Sequence, residues 1–191
     1  MDFYEKPQRV PLGEHRVDGR PIPHEPFSPR WRGRRPVLWL SAGRAAIAPR
    51  GELTIGRDDD VLQAGPLLVR GGRPALSSAD DDPEGFSTQA ELFDQDFTKG
   101  RLPRAAIALT PARILAVVVD GRGPEDAGLT LTELAQVLVQ LGAETAMNLD
   151  GGSSAALVAG GARRNTPRDD HGRELTPGEP VPTAVLLTSG P

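Results

Sequence analysis

Cysteine is absent from the 191 residues, which excludes both a disulfide framework and a thiolate metal site. Aromatic residues make up only 4% and apolar residues 38%, so a core must be built mainly from Leu, Val, Ile and Ala. Lysine is almost missing (Lys6 and Lys99), and arginine supplies nearly all the positive charge. A net charge of -4 and a pI near 5.4 argue against a dedicated nucleic-acid binder, whose phosphate contacts need a basic surface. No apolar run approaches the roughly 18 residues of a membrane span, and Met1-Asp2-Phe3-Tyr4 has no signal-peptide pattern. There is no Gly-x-Ser-x-Gly elbow, Walker lysine or His-Glu-x-x-His pattern, and His15, His24 and His171 stand isolated along the chain. No cofactor is implied by motif, and no metal ligands are assigned.

The length fits one domain, taken as residues 1–191, with a loop-rich stretch over 1–36 and a core over 37–191. The first stretch carries Pro21, Pro23, Pro26, Pro29 and Pro36 around Arg30, Arg32, Arg34 and Arg35, and reads as an ordered loop or extended linker. Val37 to Leu40 and Ala45 to Ala48 read as strands. Leu67-Leu68-Val69 reads as another, followed by Gly71-Gly72 as a two-residue hairpin turn. A second strand with a glycine pair recurs at Ala156 to Gly161. Residues 77–100 are acidic and turn-rich, without the ligand offsets of a calcium loop.

The pattern is clearest beyond Arg104. Ala105 to Leu109 and Ile114 to Val119 predict a hairpin, and the unbroken apolar run of the second predicts burial on both faces. Thr130-Leu131-Thr132-Glu133 is a capping box opening a helix over about 130–141, with Leu134, Leu138 and Leu141 at helical spacing and Gly142 as its stop. Thr145 to Leu149 reads as the next strand. Strand, loop, helix and strand within about 36 residues predict a βαβ crossover, and the whole an α+β or mixed α/β fold on a mixed sheet with hairpins. Parallel strands would put Asp120 and Asp150 at carboxyl ends on one sheet edge, where open α/β sheets bind ligands.

Asp120-Gly121-Arg122 and Asn148-Leu149-Asp150-Gly151-Gly152-Ser153-Ser154 would then face one another. Consecutive glycines let the backbone turn sharply and present amides to an anion or a sugar. Taken singly, each Asp-Gly pair is also an ordinary turn. Two carboxylates with an arginine suit hydrolysis of a glycosidic or phosphodiester bond. Three uses stay open: a glycoside hydrolase, a non-catalytic glycan-binding module, and a metal-assisted phosphoesterase with a divalent ion on Asp120 and Asp150.

At Asn148 to Ser154 the sequence resembles the phosphodiester glycosidase family, the N-acetylglucosamine-1-phosphodiester alpha-N-acetylglucosaminidase-like domain. Further motifs match in order: Gln63-Ala64-Gly65-Pro66, Pro103-Arg104-Ala105-Ala106-Ile107-Ala108, Val118-Val119-Asp120-Gly121-Arg122, Leu129 to Leu134, and Asn165 with Pro167. Together they cover about residues 61 to 190. The resemblance implies a carbohydrate or sugar-phosphate substrate and an extracellular or cell-envelope setting. It implies that Arg104, Asp120, Arg122, Asn148, Asp150, Gly151, Ser153 and Asn165 line the pocket. Their chemistry, rather than the motif, makes Asp150 and Asp120 the candidate catalytic carboxylates, Asp150 leading, and Arg104, Arg122, Asn148, Gly151, Gly152, Ser153, Ser154 and Asn165 the candidate substrate-binding residues. Many relatives have one more glycine after the aspartate and a threonine where Ala155 stands, and Glu179 to Pro182 stand where an arginine is common. Asp2-Phe3-Tyr4 and Pro11-Leu12-Gly13 resemble the second half of a family motif, which implies an N-terminally incomplete domain with exposed sheet edge.

Overall fold

The structure is a computed structural model describing residues 4–5, 10–76 and 100–188, with the Arg30 side chain and those of residues 4 and 5 outside the description. The acidic stretch over 77–99 lies outside the described residues. Two five-stranded sheets dominate. The first runs β11-β10-β12-β8-β9, where β8 is Leu67–Arg70, β9 Arg73–Pro74, β10 Arg104–Leu109, β11 Ile114–Val119 and β12 Thr145–Leu149. The second runs β4-β3-β7-β5-β6, where β3 is His15–Val17, β4 Arg20–Pro21, β5 Pro36–Ser41, β6 Arg44–Pro49 and β7 Asp60–Gln63. Every strand ladder among the described residues is antiparallel.

The layers follow from alternation along the strands. Ala105, Ile107, Met147 and Leu149 point to the second sheet and meet Leu38 and Ile47 there. Ala106, Ala108 and Ala146 point the other way, where Leu131, Leu134, Ala135 and Leu138 of helix α2 (Leu131–Gln140) pack on them. Small alanines let the helix approach the sheet closely. The layers are therefore helix, sheet and sheet: a predominantly β fold with one long helix among the described residues. No described helix is long and apolar enough to cross a membrane.

The capping box forms as its sequence predicts: Glu133 N donates to the Thr130 hydroxyl oxygen at 3.2 Å, and Thr130 N to the Glu133 carboxylate at 3.0 Å. The stop forms too. Gly142 (φ +86°) donates to Val139 O and Ala143 N to Leu138 O, the paired bonds of a Schellman end. Leu141, however, is 53% exposed, and Leu131 and Ala135 complete the buried stripe instead. Hairpin turns form at Gly71-Gly72 and at Gly160-Gly161, with positive φ at all four.

Three expectations are corrected. The βαβ crossover of adjacent parallel strands does not form. Helix α2 does connect β11 to β12, but β10 lies between them and pairs antiparallel with both. The tight Thr110–Arg113 turn closes β10 onto β11 locally, so β12 takes the other side of β10. Second, β11 is an edge strand. Leu115, Val117 and Val119 lean on the helix-side cluster, while Ile114 and Ala116 are exposed. Third, residues 10–36 are not merely loop. His15 and Arg16 pair with Leu62 and Val61, and a single helical turn at Pro29–Arg32 (α1) buries Trp31. The prolines fall where they cost no ladder bond: Pro21 on edge strand β4 and Pro29 at the first helical position.

Candidate functional site

Antiparallel pairing of β10 with both neighbours has one consequence for the site. β11 and β12 run in the same direction, so their carboxyl ends emerge where β10 begins. Arg104 stands opposite Val119, and Ala105 opposite Leu149. Pro103-Arg104, Asp120-Gly121-Arg122 and Asp150-Gly151-Gly152 therefore meet at one sheet edge, with the strand of Arg104 in the middle.

The glycine turn is pressed against that middle strand. Gly152 N donates to Pro103 O at 2.9 Å, and a Cβ on Gly151 would lie 2.7 Å from the same oxygen. Gly152 begins a 3-10 turn through Ser154 at φ +58°, where an L side chain is strained, and its α-carbon side lies under the Arg122 guanidinium. Arg122 itself sits at φ +60°, a left-handed conformation that aims the side chain back across the turn. Its Nη2 pairs with Asp170 at 2.6 Å and its Nη1 donates to Arg168 O at 3.3 Å.

Asp120 is held by the downstream segment. Asn165 Nδ2 and Thr166 N both donate to Oδ1, at 3.2 and 2.8 Å. Asp150 is buried, as are Gly151, Gly152 and Ser154, while Ser153 is half-buried. Ser153 donates its hydroxyl to the Glu179 carboxylate. Asn148 is fully buried on β12, and its Nδ2 donates to Gly65 O at 3.3 Å.

Arg104 is fully buried, with Nε donating to Leu129 O and Nη2 to Gly100 O. Burial, with the positive charge of Arg122 added, pushes its guanidinium down to about 10. All ten candidate residues lie on segments that converge on or abut this edge. Arg104 and Asn148 are interior supports of it, whereas Arg122 and Ser153 keep exposed surface.

Sequence reading passed over three participants, Thr166, Arg168 and Asp170, and marked Glu179 only as standing where relatives carry an arginine. Buried Arg168 faces Gly121 O at 3.5 Å, Glu174 at 3.4 Å and Asp126 at 3.7 Å, closing the loop after Asp120 onto the 168–174 segment. The adjoining Asn165-x-Pro167 was the one signal nearby. Among the described residues, no group of three or more His, Cys, Asp or Glu comes together in a metal-holding arrangement.

Comparison with known proteins follows the same lines. Among solved structures, the catalytic domain of zebrafish N-acetylglucosamine-1-phosphodiester alpha-N-acetylglucosaminidase, auto-inhibited by its pro-peptide, superposes with a TM-score of 0.63 at 20% identity. That match covers 88% of this chain and 54% of the zebrafish chain, so this chain spans about half of its relative's length. Similarity to a Burkholderia pseudomallei protein (30% identity, TM-score 0.45, 59% of this chain and 24% of that one) and to a Synechocystis protein (25% identity, TM-score 0.43, 82% and 32%) is weaker in shape. Comparison with functionally curated proteins finds no match. The phosphodiester glycosidase family model matches residues 1–188, nearly the whole of the sequence: the chain belongs to the phosphodiester glycosidase family.

Proposed function

We propose that this chain, as one phosphodiester glycosidase-like domain, hydrolyses the glycosidic bond of a sugar phosphodiester or a related cell-envelope glycan, in an extracellular or cell-envelope setting. Family membership implies a carbohydrate substrate. The observation that carries the finer reading is the meeting of Asp120, Arg122 and the Asp150-Gly151-Gly152 turn at one edge, with Arg104 behind them.

In this reading water attacks the anomeric carbon, the carbon–oxygen bond to phosphate breaks, and the phosphate monoester leaves with the electron pair. Its second pKa is near ~6, so it leaves as an anion with little need of a proton. Cations matter more than an acid at that end. Arg122 offers a planar fork to the phosphate oxygens, and Arg104 adds field from the interior without contact. At the sugar end, Asp150 is the leading acid/base group and Asp120 its partner. Asp150 takes the proton from water, and Asp120 is placed to orient that water: Oδ1 is fixed by two donors, and Oδ2 has no partner among the described residues. Ser153, Ser154 and the amide of Gly151 supply the polar floor for sugar hydroxyls, with Gly152 fixing the turn through its bond to Pro103 O.

The test uses the purified chain with uridine-diphospho N-acetylglucosamine and with an aryl N-acetylglucosaminyl phosphodiester. Release of free sugar is expected, with Asp150→Asn lowering kcat/KM by about 100-fold or more. A folded protein that turns over neither compound rules the reading out. A second reading, glycan binding without turnover, is favoured by Asp170 on Arg122 and Glu179 on Ser153, which occupy two of the site's polar groups. Sugar binding that survives Asp150→Asn in a protein without hydrolysis would decide for it. The metal-assisted alternative would rest on Asp120 and Asp150 without a third His, Cys, Asp or Glu gathered beside them among the described residues.

A further inference from the structure

We propose that Glu179 sets the hydrogen-bond polarity of the Ser153 corner of the site, so that this corner takes a donor group of the bound sugar, a hydroxyl or an amide N–H, and turns away phosphate oxygens. The inference rests on the glycoside-binding reading above and gives it a direction.

Glu179 arrives on an anchored stretch of chain. Leu175 N donates to Pro167 O at 2.9 Å, and Arg163 Nη1 donates to Leu175 O and Pro177 O at 2.9 and 3.0 Å. Two residues later the half-buried Glu179 meets the half-buried Ser153, within the 3-10 turn Gly152–Ser154 that follows Asp150. Ser153 Oγ donates to Glu179 Oε2.

A serine hydroxyl has one proton and two lone pairs, whereas an ionised carboxylate only accepts. With its proton committed to a charge-assisted bond, Ser153 Oγ presents lone pairs alone to any third group. A ligand atom approaching it must therefore donate. Sugar hydroxyls and acetamido N–H groups do so. An ionised phosphate oxygen has nothing to donate, and it would also face the Glu179 charge. The Arg122 guanidinium, over Gly152, has the opposite character, with only donors. Gly152 thus carries a donor group above it and its neighbour Ser153 presents an acceptor, which favours one orientation of a sugar phosphodiester: phosphate toward Arg122, sugar toward Ser153.

The test is a double-mutant cycle on the full chain, with dissociation constants for N-acetylglucosamine and for inorganic phosphate read by calorimetry or NMR. In Glu179→Lys the ammonium donates to Ser153 and turns the hydroxyl proton outward. The ratio of the two constants should then shift about tenfold toward phosphate, the worth of one hydrogen bond. In the Ser153→Ala background the same lysine should shift the ratio by less than about threefold. An equal shift in both backgrounds would mean that charge alone is responsible, and equal weakening of both ligands would mean that Glu179 is only a loop anchor. Either result overturns the proposal. A wild-type chain that binds neither probe overturns it together with the glycoside reading. Hydrolysis by wild type with an unmoved ratio in Glu179→Lys overturns it alone.

Discussion

Asn165 reaches 45 positions back along the chain to donate from Nδ2 to the Asp120 carboxylate at 3.2 Å. The same Nδ2 donates to Ala155 O at 2.8 Å, while Oδ1 accepts from Leu157 N at 2.9 Å. One amide side chain therefore ties the end of β11 to the chain that leaves the glycine turn. Asn165→Ala removes all three bonds and should cost about 1–3 kcal/mol of stability and at least roughly tenfold in kcat/KM. Asn165→Asp should be worse for activity, because a second carboxylate cannot donate and repels Asp120. Urea denaturation and steady-state kinetics report the two effects. Wild-type kcat/KM in Asn165→Ala would show that the bracket does not position the site.

Two glycines offer a matched comparison. Gly152 (φ +58°) would place a Cβ 3.3 Å from Arg122 Nη1, whereas Gly142 (φ +86°) opens onto empty space. Alanine at either should cost about 1 kcal/mol through backbone strain. Only Gly152→Ala should also displace Arg122 and raise KM for an anionic substrate. Equal kinetics for the two variants would separate Arg122 from substrate binding.

Gly123 is spaced against Arg168: a Cβ there would lie 2.8 Å from Nη1 and 2.9 Å from Cζ. Gly123→Ala should push the guanidinium off Gly121 O and destabilise the fold by about 1–3 kcal/mol. In an Arg168→Ala background the same change should cost much less, since the clash has gone. Additive losses in thermal or chemical unfolding would contradict this coupling.

Glu14 supplies a pH dependence away from the site. Burial alone would raise its carboxyl, but Arg50 at 2.5 Å and Arg16 at 2.9 Å outweigh burial and hold it below the ordinary 4.5. A carboxylate lowered in the folded state stabilises it fully above the unfolded value, and that contribution is lost as pH falls through the folded one. Glu14→Gln should therefore be less stable than wild type by about 1 kcal/mol at pH 7. The gap should close once the pH falls well below 4.5, as followed by denaturant midpoints at several pH values. A gap that stays constant down to pH 2 would assign the effect to packing instead.

Local chemistry alone was enough for several elements. Thr130 and Glu133 cap their helix reciprocally, and Gly142 ends it, because the groups involved lie within five residues of one another. The glycine pairs at 71–72 and 160–161 make hairpins for the same reason. The placing of Asp120 and Asp150 on one edge also followed from the sequence, although for a reason other than the expected one. Strand direction was legible, but the order of strands was not: nothing local to Ile114–Val119 reveals that β10 sits between β11 and β12. Non-local pairing likewise turned the proline-rich start into sheet, because His15 and Arg16 gain their partners from Val61 and Leu62, some 45 positions away. Amino-acid sequence by itself determined the helix, its ends, the turns and the identity of the motif residues, all of which depend on neighbours within a few positions. Only the tertiary structure decided that Arg104 is buried, that Asp120 is held by Asn165 and Thr166, and that Asp170 and Glu179 close on Arg122 and Ser153. Those contacts join chain segments that meet only after the sheets have packed, so no local pattern encodes them.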